Sequence, residues 1–147
     1  MAMKTSISEV LETMFFLPLE LSDGDNDLWS SRGKNRVVTK LSFSGPIEGY
    51  FVLIVPGEIA LSITGNFLGT EEESVSQEDI EGTVKEIINM IAGSTFHNYD
   101  HQAVFALGIP EMAHEWEPGK AGQKGEEVIR VAIHTLDNHI ALQMVMT

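Results

Sequence analysis

The chain has 147 residues and a mass of 16.2 kDa, which fits one domain spanning residues 1–147 and leaves no room for a second of ordinary size, about 100–150 residues. With 43% hydrophobic residues and a mean hydropathy of +0.01 it can bury a core, while 9 Lys and Arg against 22 Asp and Glu give a net charge of −13. That charge repels phosphate backbones and anionic membrane surfaces, so neither nucleic acid nor membrane is an expected partner. Cysteine is absent, which removes disulfides, thiolate nucleophiles and zinc–thiolate sites. The stretch from Met1 to Glu9 lacks the apolar core of a secretory signal, and no apolar run approaches the roughly 18 residues that span a bilayer. The cytoplasm is the expected compartment.

Taken in chain order, Ile7, Val10, Leu11, Met14 and Leu17 recur at spacings of three and four, which predicts an amphipathic helix stopped by Pro18. Asp23 to Lys34 is rich in Asp, Gly, Asn and Ser without a period and reads as a loop. Val37, Thr39, Leu41 and Phe43 alternate with Val38, Lys40 and Ser42 up to Gly45-Pro46, and the apolar run Tyr50 to Val55 follows, so two strands joined by a turn are expected. After Pro56-Gly57 a short helix should close near Gly69, although its β-branched residues also suit a strand. A long helix should run from about Gln77 to Phe96, with Ser74 and Ser76 as N-cap candidates. A strand over Ala103 to Leu107, a loop over Gly108 to Gly125, and a terminal hairpin of Val128–Thr135 with Ile140–Met146 complete the chain. This order implies an α+β fold with helices packed on one largely antiparallel sheet. The strand Ile140–Met146 contains no proline, glycine or lysine, so at a sheet edge it would be open to pairing with a second chain.

On a wheel of about 100° per residue, the long helix gathers Ile80, Val84, Ile87, Ile88, Ile91 and Thr95 on one side. The opposite side carries Gly82, Glu86, Asn89 and Gly93. An acid and an amide therefore sit one turn apart with bare backbone on either side. Each glycine costs about 1 kcal/mol relative to alanine inside a helix, so a pair on one exposed face calls for a reason such as the close approach of another surface.

Glu86-Ile87-Ile88-Asn89 with Gly93 resembles the E-x-x-N signature of the CheC/CheX/FliY chemotaxis phosphatases, and of the CheX-like members in particular. The likeness extends to element order and length over nearly the whole chain. Gly82 stands where the family usually has Asp or Ser, and Pro110 approximates a family proline beyond the Asn. The resemblance implies a pseudo-symmetric CheC/CheX-like fold and one site per chain: CheC-type members repeat the signature on the related first helix, whereas here Glu12 is followed by Phe15 in the Asn place. It further implies a phosphatase that hydrolyses the aspartyl-phosphate of a CheY-like response regulator. In that reading Asn89 positions the attacking water and Glu86 pairs with the regulator's lysine. Gly82, Lys85, Met90 and Gly93 belong to the partner-binding face. Mg²⁺ is carried by the regulator and the chain needs no metal or cofactor of its own. A homodimer is implied as well. The alternative is a non-catalytic adaptor of the same fold that binds a regulator or a flagellar switch component.

Other constellations are weaker. Asp23, Asp25 and Asp27 mimic the start of a calcium loop, but Leu28 and Lys34 occupy the positions that need Gly and Glu. His97 and His101 have the spacing of one helical turn without an evident third ligand. His114, His134 and His139 are scattered.

Overall fold

Alternation of apolar residues demands partner strands, and the computed structural model, which describes residues 20–23, 36–99, 104–113, 126–134 and 139–146, supplies them. Its strands are β1 (Glu20–Asp23), β2 (Arg36–Ser44), β3 (Gly49–Pro56), β4 (Ala106–Leu107), β5 (Glu111–Met112), β6 (Glu127–His134) and β7 (His139–Met146). The helices are α1 (Gly57–Leu68) and α2 (Gln77–Tyr99), with a 3₁₀ turn at Glu72–Ser74 between them. The helix expected over Ile7 to Leu17, with Glu12 and Phe15, lies outside the described residues.

All pairings are antiparallel, in the order β1-β6-β7-β3-β2-β4 with β5 also on β2. The terminal hairpin runs in register from Glu127↔Met146 to His134↔His139. Its second strand is not at an edge. β7 pairs with β6 on one side and with β3 on the other, which overturns the expectation that Ile140–Met146 offers itself to another chain. Ile140, Leu142 and Met144 face one cluster while Ala141, Gln143 and Val145 are equally buried on the alternate positions. A strand buried on both faces reads as a continuous apolar run and belongs in the middle of a sheet. Gly49 starts β3 because a side chain there would collide with the Val145 carbonyl of β7. Gly45 turns the chain between β2 and β3 at φ 148°, and a Cβ on it would lie 2.8 Å from the Val104 carbonyl oxygen.

Both helices lie on one face of the sheet. Val37, Leu41, Phe43, Phe51, Leu53 and Val55 pack there with Ala60 and Ile63 of α1 and with Val84, Ile87, Ile88 and Ile91 of α2. On the other face, Val38, Val52, Ile54 and Ala141 form a second cluster. The helical reading of residues 57–68 is the correct one despite their β-branched content, and Gly69, at φ 67°, closes α1 by donating its N–H to the Gly65 carbonyl. Phe96, at the far end of α2, meets Phe43 at 4.8 Å and Phe51 at 5.7 Å between ring centroids, and stacks on Phe105 at 4.0 Å. Aromatic pairs of this kind add about 0.5–1.5 kcal/mol each beyond area burial. They pin the end of α2 to the sheet and to the segment leading into β4.

The strand expected over Ala103 to Leu107 is reduced to Ala106–Leu107, and β5 lies within the stretch expected to be loop. Val104 and Ile109, flanking β4, are 83% and 85% exposed. No helix among the described residues is long and apolar enough to cross a membrane.

Candidate functional site

α2 begins with a reciprocal cap. The Asp79 N–H donates to Ser76 Oγ and the Ser76 N–H to Asp79 Oδ2, both at 3.0 Å. Two of the free amide groups at the helix start are thereby satisfied, and Glu78 and Asp79 complement the positive end of the helix dipole. Ser76, not Ser74, is the cap; Ser74 closes the 3₁₀ turn. The helix then runs three residues past its expected end at Phe96, to Tyr99.

Burial divides α2 lengthwise. Thr83, Val84, Ile87, Ile88, Ile91, Ala92, Thr95 and Phe96 are buried, whereas Gly82, Glu86, Asn89 and Gly93 are all exposed. The rise of about 1.5 Å per residue separates Glu86 and Asn89 by about 4.5 Å along the axis, close enough for one partner to meet both. Lys85 and Met90 flank them and are half-buried; Met90 also packs against the core, so its side chain is shared between fold and face. A Cβ added at Gly82 or Gly93 would meet no heavy atom of the described residues within 4 Å. Among the described residues nothing therefore requires glycine at either place, although both lie in the interior of a helix.

The chemistry available is that of a carboxylate beside a neutral amide. A carboxylate can pair with a cation, and an amide can orient water by accepting one hydrogen bond and donating another. Among the described residues no group of three or more His, Asp and Glu side chains is arranged to hold a metal ion. His97 is exposed in the last turn of α2. Asp23 ends β1, and His134 and His139 are register partners at one end of the β6–β7 pairing, while Asp25, Asp27, His101 and His114 fall outside the described residues. An open groove of about 500 Å³ between the end of α1 and the 3₁₀ turn was not anticipated; it is lined by Ser62, Gly65, Asn66, Thr70 and Glu71–Glu73, with no residue of α2.

Residues 37–134 match the family model of the chemotaxis phosphatase CheX. The chain belongs to the CheX family. The matched span runs from β2 into β6 and contains all of α2. Solved structures share the fold over 99% of this chain. A CheX from Borrelia burgdorferi, crystallised as a CheX–CheY–BeF3–Mg²⁺ complex, is 24% identical with a TM-score of 0.74 and 95% of its own chain covered. A CheC-like protein from Shewanella sp. PV-4 is 19% identical, with a TM-score of 0.76 and 95% covered. The CheX of Vibrio vulnificus is 18% identical, with a TM-score of 0.76 and 94% covered. No curated protein matches the sequence. The CheX fold was thus legible from the E-x-x-N resemblance and the element order, and α2 presents that signature to solvent.

Proposed function

We propose that this CheX-family chain accelerates hydrolysis of the aspartyl-phosphate of a CheY-like response regulator through Glu86 and Asn89. The observation that carries the reading is the exposed pair itself: an acid and an amide one turn apart on a capped, core-anchored helix, flanked by two glycines that no contact among the described residues explains. The Borrelia relative crystallised with CheY, BeF3 and Mg²⁺ motivates the choice of partner.

Phosphoryl transfer needs little covalent help, only a positioned nucleophile and stabilised charge. In this reading the regulator brings Mg²⁺ and a lysine, so the charge on the transferring group is already met on the partner. The Asn89 amide accepts a hydrogen bond from a water and holds it in line with the phosphorus. Attack forms the new O–P bond and breaks the bond between phosphorus and the aspartate oxygen, leaving a free carboxylate and inorganic phosphate. Glu86 pairs with the regulator's lysine and sets the depth of docking. Gly82 and Gly93 let the two backbones approach, with Lys85 and Met90 at the rim of the contact. No metal or cofactor of the chain's own takes part.

The active form in this reading is a cytoplasmic homodimer joined through the sheet. β7 is paired on both sides and the edges of the described sheet are β1 and β4; of these β4 is the one assigned to the contact, because Val104, Leu107 and Ile109 are exposed there. Light scattering at micromolar concentration should give twice the mass of one chain, and a monomer would remove this part.

The decisive experiment mixes the protein with a phosphorylated CheY-like regulator and follows inorganic phosphate. Accelerated release supports a phosphatase. Retention of the regulator on the immobilised protein with no acceleration would leave a non-catalytic adaptor.

A further inference from the structure

The two helices and the turn between them carry almost no positive charge. Residues 57–99 contain eight Asp and Glu and a single Lys or Arg, which is Lys85. That one cation stands four residues before Asn89, as Glu86 stands three before it, so the Cβ of each lies about 5–6 Å from the Cβ of Asn89. At about 100° per residue, Lys85 falls about 40° to one side of Asn89 and Glu86 about 60° to the other.

Lys85 is half-buried, and a lysine so placed lays its stem on the protein while its ammonium stays in water. Among the described residues it forms no ion pair, even with Glu81 one turn before it. The amide therefore has an acid on one flank and a cation on the other. A partner that sets a lysine over Glu86 needs an anion over Lys85. Mg²⁺ is held through carboxylates and phosphate oxygens, so a regulator that carries it beside an aspartyl-phosphate presents carboxylates around the reacting group. A helical layer this acidic repels such a rim, and Lys85 is the one Lys or Arg in that layer able to attract it.

Resting on the phosphatase reading, we infer that Lys85 is a positioning residue of the docking face, its ammonium pairing with a carboxylate at the regulator's Mg²⁺ site while Glu86 holds the regulator's lysine. The two opposite charges admit the regulator in one rotation over Asn89. Lys85 touches neither the phosphoryl group nor the water, so its loss weakens docking and leaves the chemical step intact.

The test uses the full chain, a CheY-like regulator charged with beryllofluoride and Mg²⁺ for binding, and the phosphorylated regulator for turnover. At about 50 mM salt, Lys85→Gln should raise both the dissociation constant and the half-saturating concentration about fivefold, with maximal turnover unchanged. At about 500 mM the difference from the unaltered protein should shrink below about twofold, because the missing pair would have been screened. Arg36→Gln removes the same charge from the start of β2, on the sheet face turned away from the helices by its alternation with Val37; it should change either constant less than about twofold at low salt. Lys85→Arg keeps the cation and should restore binding. Thermal unfolding shows that each variant folds. Equal constants for Lys85→Gln and Arg36→Gln would overturn the inference, as would a defect that salt leaves unchanged, a failure of Lys85→Arg to restore binding, or a fall in maximal turnover for Lys85→Gln. If the unaltered protein binds the regulator without accelerating phosphate release, the phosphatase reading fails while the binding constants still decide the role of Lys85; if it does not bind the regulator at all, both fail.

Discussion

The two sides of α2 obey different rules. Toward the sheet, Val84, Ile87, Ile88 and Ile91 are at most 1% exposed and fill a continuous core. Toward solvent, Gly82, Glu86, Asn89 and Gly93 contribute no apolar burial, and the two glycines weaken the helix they belong to. The difference teaches that one element can carry the core on one stripe and leave a second stripe open to a partner, with the reciprocal cap at Ser76 and Asp79 and the Phe96 cluster fixing the rotation that keeps them apart.

Substitutions on the two stripes should consequently separate activity from stability. Asn89→Ala should lower regulator dephosphorylation by at least about a hundredfold, the order expected when an oriented polar group is removed from a transition state, while its binding and melting temperature stay unchanged. Undiminished phosphate release would take Asn89 out of the chemistry. Ile88→Ala, one residue away and fully buried, should cost about 2–5 kcal/mol of stability in a denaturant titration. Its maximal turnover should survive at temperatures where the variant remains folded. Loss of turnover in a folded Ile88→Ala would show that the stripes are coupled.

Glu86→Ala sharpens the contrast within the exposed stripe. If Glu86 pairs with the regulator's lysine as proposed, its removal should weaken binding about tenfold and reduce turnover at low regulator concentration, with no effect on unfolding. Raising salt from about 50 to about 500 mM should weaken the unaltered protein more than the variant, because the variant no longer holds a pair to screen. Equal salt slopes would dissociate Glu86 from any cation on the partner.

Why the divided helix could be read in the sequence, while other elements could not, follows from period and length. Twenty-three residues at 3.6 per turn leave little doubt about which side is apolar; the buried set adds Thr83, Ala92 and Phe96 to the stripe read from the wheel, and Ile80 of that stripe is only partly buried. Phe96 escapes the wheel because the β4 segment wraps the end of the helix and covers it through Phe105. By contrast Glu20–Asp23 and Glu111–Met112 are too short and too polar to show alternation; they become strands because Leu21 and Met112 find partners in Ile133 and Thr39, far away in sequence. Edge or centre is likewise a property of neighbours. For Ile140–Met146 the clue was the lack of polar positions other than Gln143, whose Oε1 accepts a hydrogen bond from Arg130 Nε at 3.1 Å within the sheet. The pair Glu86 and Asn89 was located by period, but the role assigned to it came from family resemblance, since an exposed acid and amide alone fit many helices.

The smallest effect discriminates most finely between the two stripes. With nothing among the described residues within 4 Å of a Cβ at either position, Gly82→Ala and Gly93→Ala should each stabilise the isolated protein by up to about 1 kcal/mol, through helix propensity and a less flexible unfolded chain. That corresponds to a rise of about 2–4 °C in melting temperature for a chain of this size. On a merely solvated face the gain would come without a cost. On a face that meets another backbone, the added methyl groups hold the regulator away and weaken its binding severalfold, so stability and affinity move in opposite directions. A gain in stability with unchanged regulator binding would place both glycines outside the interface, and a loss of stability would show that the space beside them is not open.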